Sequence, residues 1–263
     1  KVDALEVSND GRQVAFALND DGWGSVYLLG KGMKLQKLSA LPASIASGLQ
    51  WSADGKRLGL GLVAPTFSGD IWTVDASGQK AERWSASEIG GLPEDSFVAP
   101  VAFRYPTFDA VAGKPREIPA FWYKSRFPGP RSFVVVIHGG PEGQSRPYFD
   151  PTVQFWVKEL GLSVLIPNVR GSDGYGKEWL DLDNGERRED SVKDIGALLD
   201  WAGKQPELDA TRAAVYGGSY GGYMVLACLA RFAGRLKAGG DVVGISNFVT
   251  FLEHTEAYRR DLR

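Results

Sequence analysis

The sequence predicts two kinds of sheet in one chain: a mostly parallel α/β sheet with helices on both faces, preceded by partial blades of short antiparallel strands. Three observations predict it. From about residue 132 onward, apolar runs of strand length alternate with segments of helix length, the pattern of a parallel sheet whose crossovers are helical. Before residue 85 a strand-and-turn unit occurs twice at a spacing typical of propeller blades. Two glycine-rich turns, His138-Gly-Gly-Pro141 and Gly217-Gly-Ser-Tyr-Gly221, each follow an apolar run, at the strand ends where open α/β sheets bind ligands.

The repeat comes first along the chain. Ser8-Asn-Asp-Gly-Arg12 followed by Val14-Ala-Phe16 matches Ser52-Ala-Asp-Gly-Lys56 followed by Leu58-Gly-Leu60, at an offset of 44 residues. Ser25-Val-Tyr-Leu28 then aligns with Asp70-Ile-Trp-Thr73 at an offset of 45, and this second match argues against a chance pair of hairpins. A closed propeller takes roughly four to eight blades, so residues 1–90 are expected to form only part of one. The stretch Ser85 to Pro100, rich in Ser, Gly and Pro, reads as a linker, and residues 91–263 as the α/β domain.

Within that domain, strands are expected at 98–105 and 117–124, separated by a turn at Asp109-Ala-Val-Ala-Gly113. Ser132 to Ile137 is a continuous apolar run, as in a parallel strand buried on both faces. A helix near 150–160, a strand at 162–167, a helix near 189–203 and a strand at 212–216 follow. A helix to about 232 and a strand near 236–245 complete the pattern. Phe155, Trp156 and Trp201 are expected to pack against the sheet, and Glu186-Arg-Arg-Glu-Asp190 to be an exposed helix start.

The turn around Ser219 carries the chemistry. A serine in Gly-x-Ser-x-Gly between a strand and a helix sits on a tight turn that holds its Oγ clear of the sheet. Gly217 and Gly221 lack the side chains that would keep the neighbouring backbones apart. The first N–H groups of the following helix have no partner within the helix, so the Tyr220 N–H is a candidate donor to an oxyanion. In the α/β-hydrolase arrangement the second donor comes from the loop after an earlier strand. Gly140 is the candidate, with Pro141 fixing the turn beyond it and Gly139 and His138 supporting the loop. His138 could instead be a base, but in this fold the base follows the nucleophile in chain order.

Composition narrows the partners. With 30 Lys+Arg against 32 Asp+Glu and a net charge of −2, no basic stripe for nucleic acid and no acidic tail stands out. The lone Cys228 excludes an intrachain disulfide framework and reads as a core residue. No apolar run reaches the roughly 18 to 20 residues of a membrane span. The reading is a soluble enzyme with neither metal nor cofactor; cytoplasm and periplasm both stay open.

Four motifs in order, His138-Gly-Gly-Pro-Glu-Gly-Gln-Ser-Arg-Pro147, Asn168-Val-Arg-Gly-Ser-Asp-Gly-Tyr-Gly176, Gly217-Gly-Ser-Tyr-Gly-Gly-Tyr-Met224 and Asp241-Val-Val-Gly-Ile-Ser-Asn247, resemble the prolyl oligopeptidase family of serine peptidases, and within it the acylaminoacyl-peptidase-like bacterial branch. The resemblance covers roughly residues 98 to 263. It implies hydrolysis of short peptides through an acyl-enzyme, with Ser219 as nucleophile and the Tyr220 and Gly140 N–H groups as oxyanion hole, behind a propeller that limits access to small substrates. A carboxylesterase on the same fold, or an inert fragment with a binding role, are the alternatives. Arg170 and Arg146 are candidates for contact with bound peptide, a loop-internal ion pair being the other reading of Arg170 and solvation that of Glu142 and Arg146.

The chain departs from that family where the triad should be completed. Acid and histidine are expected after the nucleophile, at the ends of later strands, yet 44 residues follow Ser219 and hold one histidine, His254. Its surroundings, Phe251-Leu-Glu-His254, resemble the family's segment after the sixth strand of its sheet and not its histidine loop. Asp241 reads as the start of the last strand, at the sheet end away from the nucleophile. The expectation is that the triad Asp and His are absent and that this is an internal piece of a longer enzyme. The remaining segments of that enzyme would then be its partners, possible companion chains included, and a homo-oligomer stays open.

Overall fold

A computed structural model describes residues 1–257. It divides into two compact units, residues 1–99 with 146–154 and residues 100–145 with 155 onward.

The first unit holds two four-stranded antiparallel sheets, each in chain order. One comprises β1 (Val2–Val7), β2 (Val14–Asp20), β3 (Trp23–Leu29) and β4 (Leu35–Lys37); the other comprises β5 (Ile45–Trp51), β6 (Arg57–Ala64), β7 (Phe67–Asp75) and β8 (Ala81–Arg83). The repeat seen in the sequence closes the same turn in both. Ser8 Oγ donates to Asp10 Oδ1 at 2.8 Å and accepts the Gln13 N–H at 2.9 Å. Ser52 Oγ likewise donates to Asp54 at 2.7 Å and accepts the Arg57 N–H at 3.0 Å. Gly11 and Gly55 both stand at φ +67°, a conformation that favours glycine. These hydroxyls hold the Asp10 and Asp54 carboxyls below the usual carboxylate range.

Strand periodicity supplies the core. Leu58, Leu60, Leu62 and Ala64 alternate onto the buried face of β6 and share one cluster with Ala15, Ala17, Val26 and Leu28 of the other sheet. The sheets approach closely at Gly24, where an added Cβ would lie 2.6 Å from Ser44 O. The Gln154 side chain ties the second segment into this unit, bonding Val98 through both its N–H and its carbonyl and donating to Pro65 O.

The second unit is built on one six-stranded sheet. In chain order its elements are β9 (Val101–Val111), β10 (Lys114–Tyr123), β11 (Arg131–Ile137), α1 (Pro151–Lys158), β12 (Ser163–Pro167), α2 (Lys177–Leu180), α3 (Arg188–Ala202), β13 (Leu208–Gly218), α4 (Tyr220–Arg231), β14 (Leu236–Val242) and α5 (Phe248–Glu253). The spatial order is β14-β13-β11-β12-β10-β9. The four strands from β11 onward are mutually parallel, and β9 and β10 form an antiparallel hairpin at one edge. Val215 faces the core that contains α3 and α4, while its neighbour Tyr216 meets Trp156 of α1 edge-on at 5.4 Å, so helices cover both faces. Ile195 and Leu198 of α3 and Met224 and Cys228 of α4 are fully buried on that core. Burial pushes the Cys228 thiol up to about 12, in keeping with an inert packing residue.

Some expectations need correction. The β9–β10 hairpin runs through Asp109 to a tighter turn at Ala112-Gly113, both at positive φ, which suits a two-residue hairpin turn. The turn therefore lies inside the expected Asp109–Gly113 and is shorter than it, with both strands extended toward it. β13 begins four residues sooner than expected and extends two beyond. Phe155 is 52% exposed, whereas Trp201 stacks on Phe103 at 4.2 Å. Arg188, in the supposedly exposed helix start, is buried against Asp183. Among the described residues no helix is long and apolar enough to cross a membrane, and no group of three metal-ligating side chains gathers.

Candidate active site

β13 ends at Gly218, α4 begins at Tyr220, and Ser219 alone makes the turn between them. Its backbone stands at φ +56°, ψ −119°, a region that costs a non-glycine residue about 1–3 kcal/mol and persists only where the surroundings enforce it. The Ser219 N–H donates to Val242 O of the neighbouring strand at 2.9 Å, and its carbonyl accepts from Gly222 and Tyr223 at 3.0 and 3.1 Å. The glycines make the turn possible by close approach. A Cβ on Gly221 would lie 2.2 Å from Ile137 O, and one on Gly217 would lie 2.5 Å from Gly221 O. The result is an exposed serine at the carboxyl end of the sheet, with a helix start behind it.

The loop after β11 lies beside that serine. An added Cβ on Gly139 would be 3.5 Å from Ser219 Cβ, and one on Gly140 would be 2.4 Å from Gly143 N, so the loop turns tightly against the elbow. Gly140 takes φ +139°, where glycine is favoured. His138 braces the loop: Nδ1 is 2.8 Å from Gly139 O and Nε2 is 2.8 Å from Ser172 Oγ. Burial lowers its pKa, favouring the neutral ring. The Ser172 hydroxyl in turn donates to Val169 O at 2.6 Å, so the ring links the loop after β11 to the loop after β12. Asn168 ties the loop to the end of β12, accepting the Ser145 N–H at 2.7 Å and donating to Ser145 O at 2.9 Å.

Ser219 and Gly140 share an open cavity of about 760 Å³, lined also by Val243, Ile245, Phe251 and His254. Asn247 caps α5 by accepting the Val249 and Thr250 N–H groups. His254 is exposed at the other end of this short helix, and among the described residues no hydrogen bond joins its ring to Ser219. Asp241 sits differently from its expected place. It is the sixth residue of β14, paired with Gly217 at the same sheet end as the nucleophile, with Oδ1 where a Cβ on Gly222 would fall. The strand begins at Leu236, as expected, so Asp241 stands near its end and not at its start.

The two arginines singled out in the sequence are committed elsewhere. Arg170, 3% exposed, donates to Asp194 through Nε and Nη2 at 2.9 and 2.8 Å and to Asp109 Oδ1 at 2.9 Å, with Phe108 over its guanidinium at 4.4 Å. These carboxylates raise its pKa against the pull of burial. Arg146 pairs with Asp3 at 2.8 Å and donates to Gly22 O at 2.9 Å within the first unit. The buried group of Asp183, Arg188, Ser191 and Asp194 had no place in the sequence reading. A signal was present: Ser191 and Asp194 lie on the same stripe of α3 as Ile195, Leu198 and Ala202, where a polar residue needs a partner.

A strand-to-helix elbow with a strained serine, backed by a helix start and faced by a glycine turn, is the arrangement found in folds of the α/β-hydrolase type. Residues 147–262 match the profile of the prolyl oligopeptidase family. The chain is 34% identical over 137 residues to dipeptidyl peptidase family member 6 of Caenorhabditis elegans, covering 51% of this chain and 18% of that protein. It is 35% identical over 129 residues to dipeptidyl aminopeptidase BIII of Pseudoxanthomonas mexicana, covering 49% and 19%. The chain thus aligns with less than a fifth of the length of these curated relatives. Among solved structures, acylaminoacyl peptidase of Pyrococcus horikoshii superposes with a TM-score of 0.76 at 24% identity, over 97% of this chain and 39% of that one. Prolyl oligopeptidase B of Galerina marginata gives 0.82 at 20%, over 98% and 37%. At these identities the superpositions speak for the fold.

Proposed function

We propose that the protein carrying this chain is a serine peptidase that hydrolyses short peptides through an acyl-enzyme, with Ser219 as nucleophile. The observation that carries the reading is the Ser219 elbow opening into the same cavity as Gly140. Attack of Oγ on the scissile carbonyl forms the C–O bond and moves charge onto the carbonyl oxygen, which the Tyr220 and Gly140 N–H groups receive. Collapse expels the amine, which takes up a proton delivered by a general base acting as acid, and water then releases the acyl group. Val243, Ile245 and Phe251 offer apolar surface to the substrate beside the nucleophile.

In this reading the base and the acid that orients it are not residues of this chain, so the chain by itself is inactive. Both ring nitrogens of His138 are engaged. His254 carries no carboxylate partner among the described ion pairs, and a base in a triad is oriented by an acid. The remaining segments of the enzyme are the partners this reading requires. Turnover of short peptide nitroanilides by the full-length protein, against nitrophenyl esters and with Ser219→Ala as control, tests it. Peptide turnover lost in the variant is the expected result. Ester turnover without peptide turnover would make the protein a carboxylesterase, and turnover surviving in the variant would remove Ser219 from the mechanism.

A further inference from the structure

The strain at Ser219 has to be held from both sides. On the strand side the hold is the bond to Val242 O; on the helix side the next residue is Tyr220, whose side chain is 3% exposed. Its hydroxyl lies 3.1 Å from Asp183 Oδ2 and 3.1 Å from Ser191 Oγ. Arg188 donates to the same Asp183 oxygen at 2.9 Å and places its guanidinium 5.3 Å from the centre of the Tyr220 ring. Asp183 is 1% exposed and Ser191 fully buried, so none of this is a surface contact. The Tyr220 hydroxyl donates to the Asp183 carboxylate, and the Ser191 hydroxyl, which also lies 2.8 Å from Arg188 O, shares its proton between that carbonyl and the Tyr220 oxygen.

The same cluster reaches the loops around the cavity. Asp183 Oδ1 occupies the space a side chain on Gly171 would need, at 2.2 Å from its ideal Cβ, so the aspartate lies directly on the loop after β12. That loop in turn receives the oxyanion turn: the Asp173 N–H donates to Gly143 O at 3.0 Å, and Ser172 meets His138. Glu142 of the oxyanion turn lies close enough to Asp183 to disfavour its charge, adding to burial. A buried ion pair is a poor source of stability in itself, because desolvation offsets the Coulomb attraction. Fixing a geometry is the better-attested use of such a group.

We infer that Asp183 and Ser191 are positioning residues for acyl transfer: by holding the Tyr220 hydroxyl they fix the direction of the Tyr220 peptide N–H, which faces the developing oxyanion. This rests on the peptidase reading above. The transition state needs that N–H within hydrogen-bond reach of an oxygen that exists only during reaction, whereas ground-state binding does not. Loosening the anchor should therefore act on kcat and leave KM alone.

The test is Tyr220→Phe in the full-length protein, which keeps the backbone donor and removes only the hydroxyl. Three quantities are read: kcat and KM on a peptide nitroanilide, and the inhibition constant of a peptide boronic acid, which mimics the tetrahedral state. The expected result is a fall in kcat of about 10-fold, with KM within about 2-fold of wild type and boronate affinity weakened in parallel with kcat. A folded Tyr220→Phe protein with unchanged kcat and boronate affinity, whatever its melting temperature, overturns the inference. If that variant does not accumulate folded, Ser191→Ala carries the same test. A loss in kcat and boronate affinity at constant KM supports the anchor, and a lowered melting temperature with unchanged kcat refutes it. Turnover that survives in Ser219→Ala would instead overturn the peptidase reading, through a separate measurement.

Discussion

The two units bury different things. In the first, the shared core of the two sheets is apolar, with Leu58, Leu60 and Leu62 in it beside Trp51 and Phe67, and its hydroxyl–carboxylate pairs close turns at the surface. The second also has an apolar core, but charge is buried around the carboxyl ends of its strands: Arg170 with Asp194 and Asp109, and Arg188 with Asp183. Burying ions costs several kcal/mol each before pairing returns any of it. The first unit does this at Asp70 with Arg83. The second does it in two groups, and one of them, Asp183 with Arg188, meets Tyr220 beside the serine elbow.

The comparison can be broken in three places. The largest expected effect is at Asp194, fully buried and accepting from Arg170 and from Thr107 Oγ1 at 2.7 Å. Asp194→Ala leaves the Arg170 charge short of its main partner and should destabilise the second unit by about 3–5 kcal/mol. Hydrogen exchange should show protection lost there and kept in the first unit. An effect below about 1 kcal/mol would mean the buried pair is dispensable. Next is Leu60→Ala, which should cost the first unit about 2–5 kcal/mol by opening a cavity in its core, while leaving fluorophosphonate reactivity of the full-length protein unchanged. Reduced reactivity of the folded variant would contradict the assignment of the chemistry to the second unit alone.

The smallest effect is electrostatic. Asp70 is the buried carboxylate of the first unit, accepting from Ser85 Oγ and the Ser87 N–H at 2.8 Å each and paired with Arg83. Although burial pushes its pKa up, these bonds hold it below the ordinary 3.8. A carboxyl depressed in the folded state contributes stability that is fully present above the unfolded value and is lost as pH falls through the folded one. The stability gap between wild type and Asp70→Asn, followed by urea unfolding, should therefore be constant from neutral pH to about 5 and shrink below about 4. A gap that widens on acidification would reverse the sign of the shift.

Much of this architecture was legible because it is written locally. The Ser-x-Asp-Gly turns are closed by atoms within five residues of one another, and Gly-x-Ser-x-Gly marks its own strained turn, so the blades and the elbow were read at the right residues. What stayed hidden depends on the assembled sheet. Asp183, Arg188 and Ser191 look like ordinary polar residues of a helix start, and only the placement of Tyr220 over them makes a cluster. The conformation of Ala112 gives no signal in its side chain, so the hairpin turn is shorter than the one the sequence suggests. Asp241 was assigned to the wrong sheet end: β14 begins at Leu236, as expected, and its pairing with β13 sets Asp241, near the strand's end, beside Gly217.

The proposed function places a nucleophile and an oxyanion hole in this chain and the base that activates them outside it. The most direct test is fluorophosphonate labelling of the chain alone, read by intact mass beside Ser219→Ala. The account predicts labelling no greater than in the variant. Stoichiometric labelling that disappears in the variant would contradict it, since a base would then be acting from within the chain, with His254 the first residue to replace.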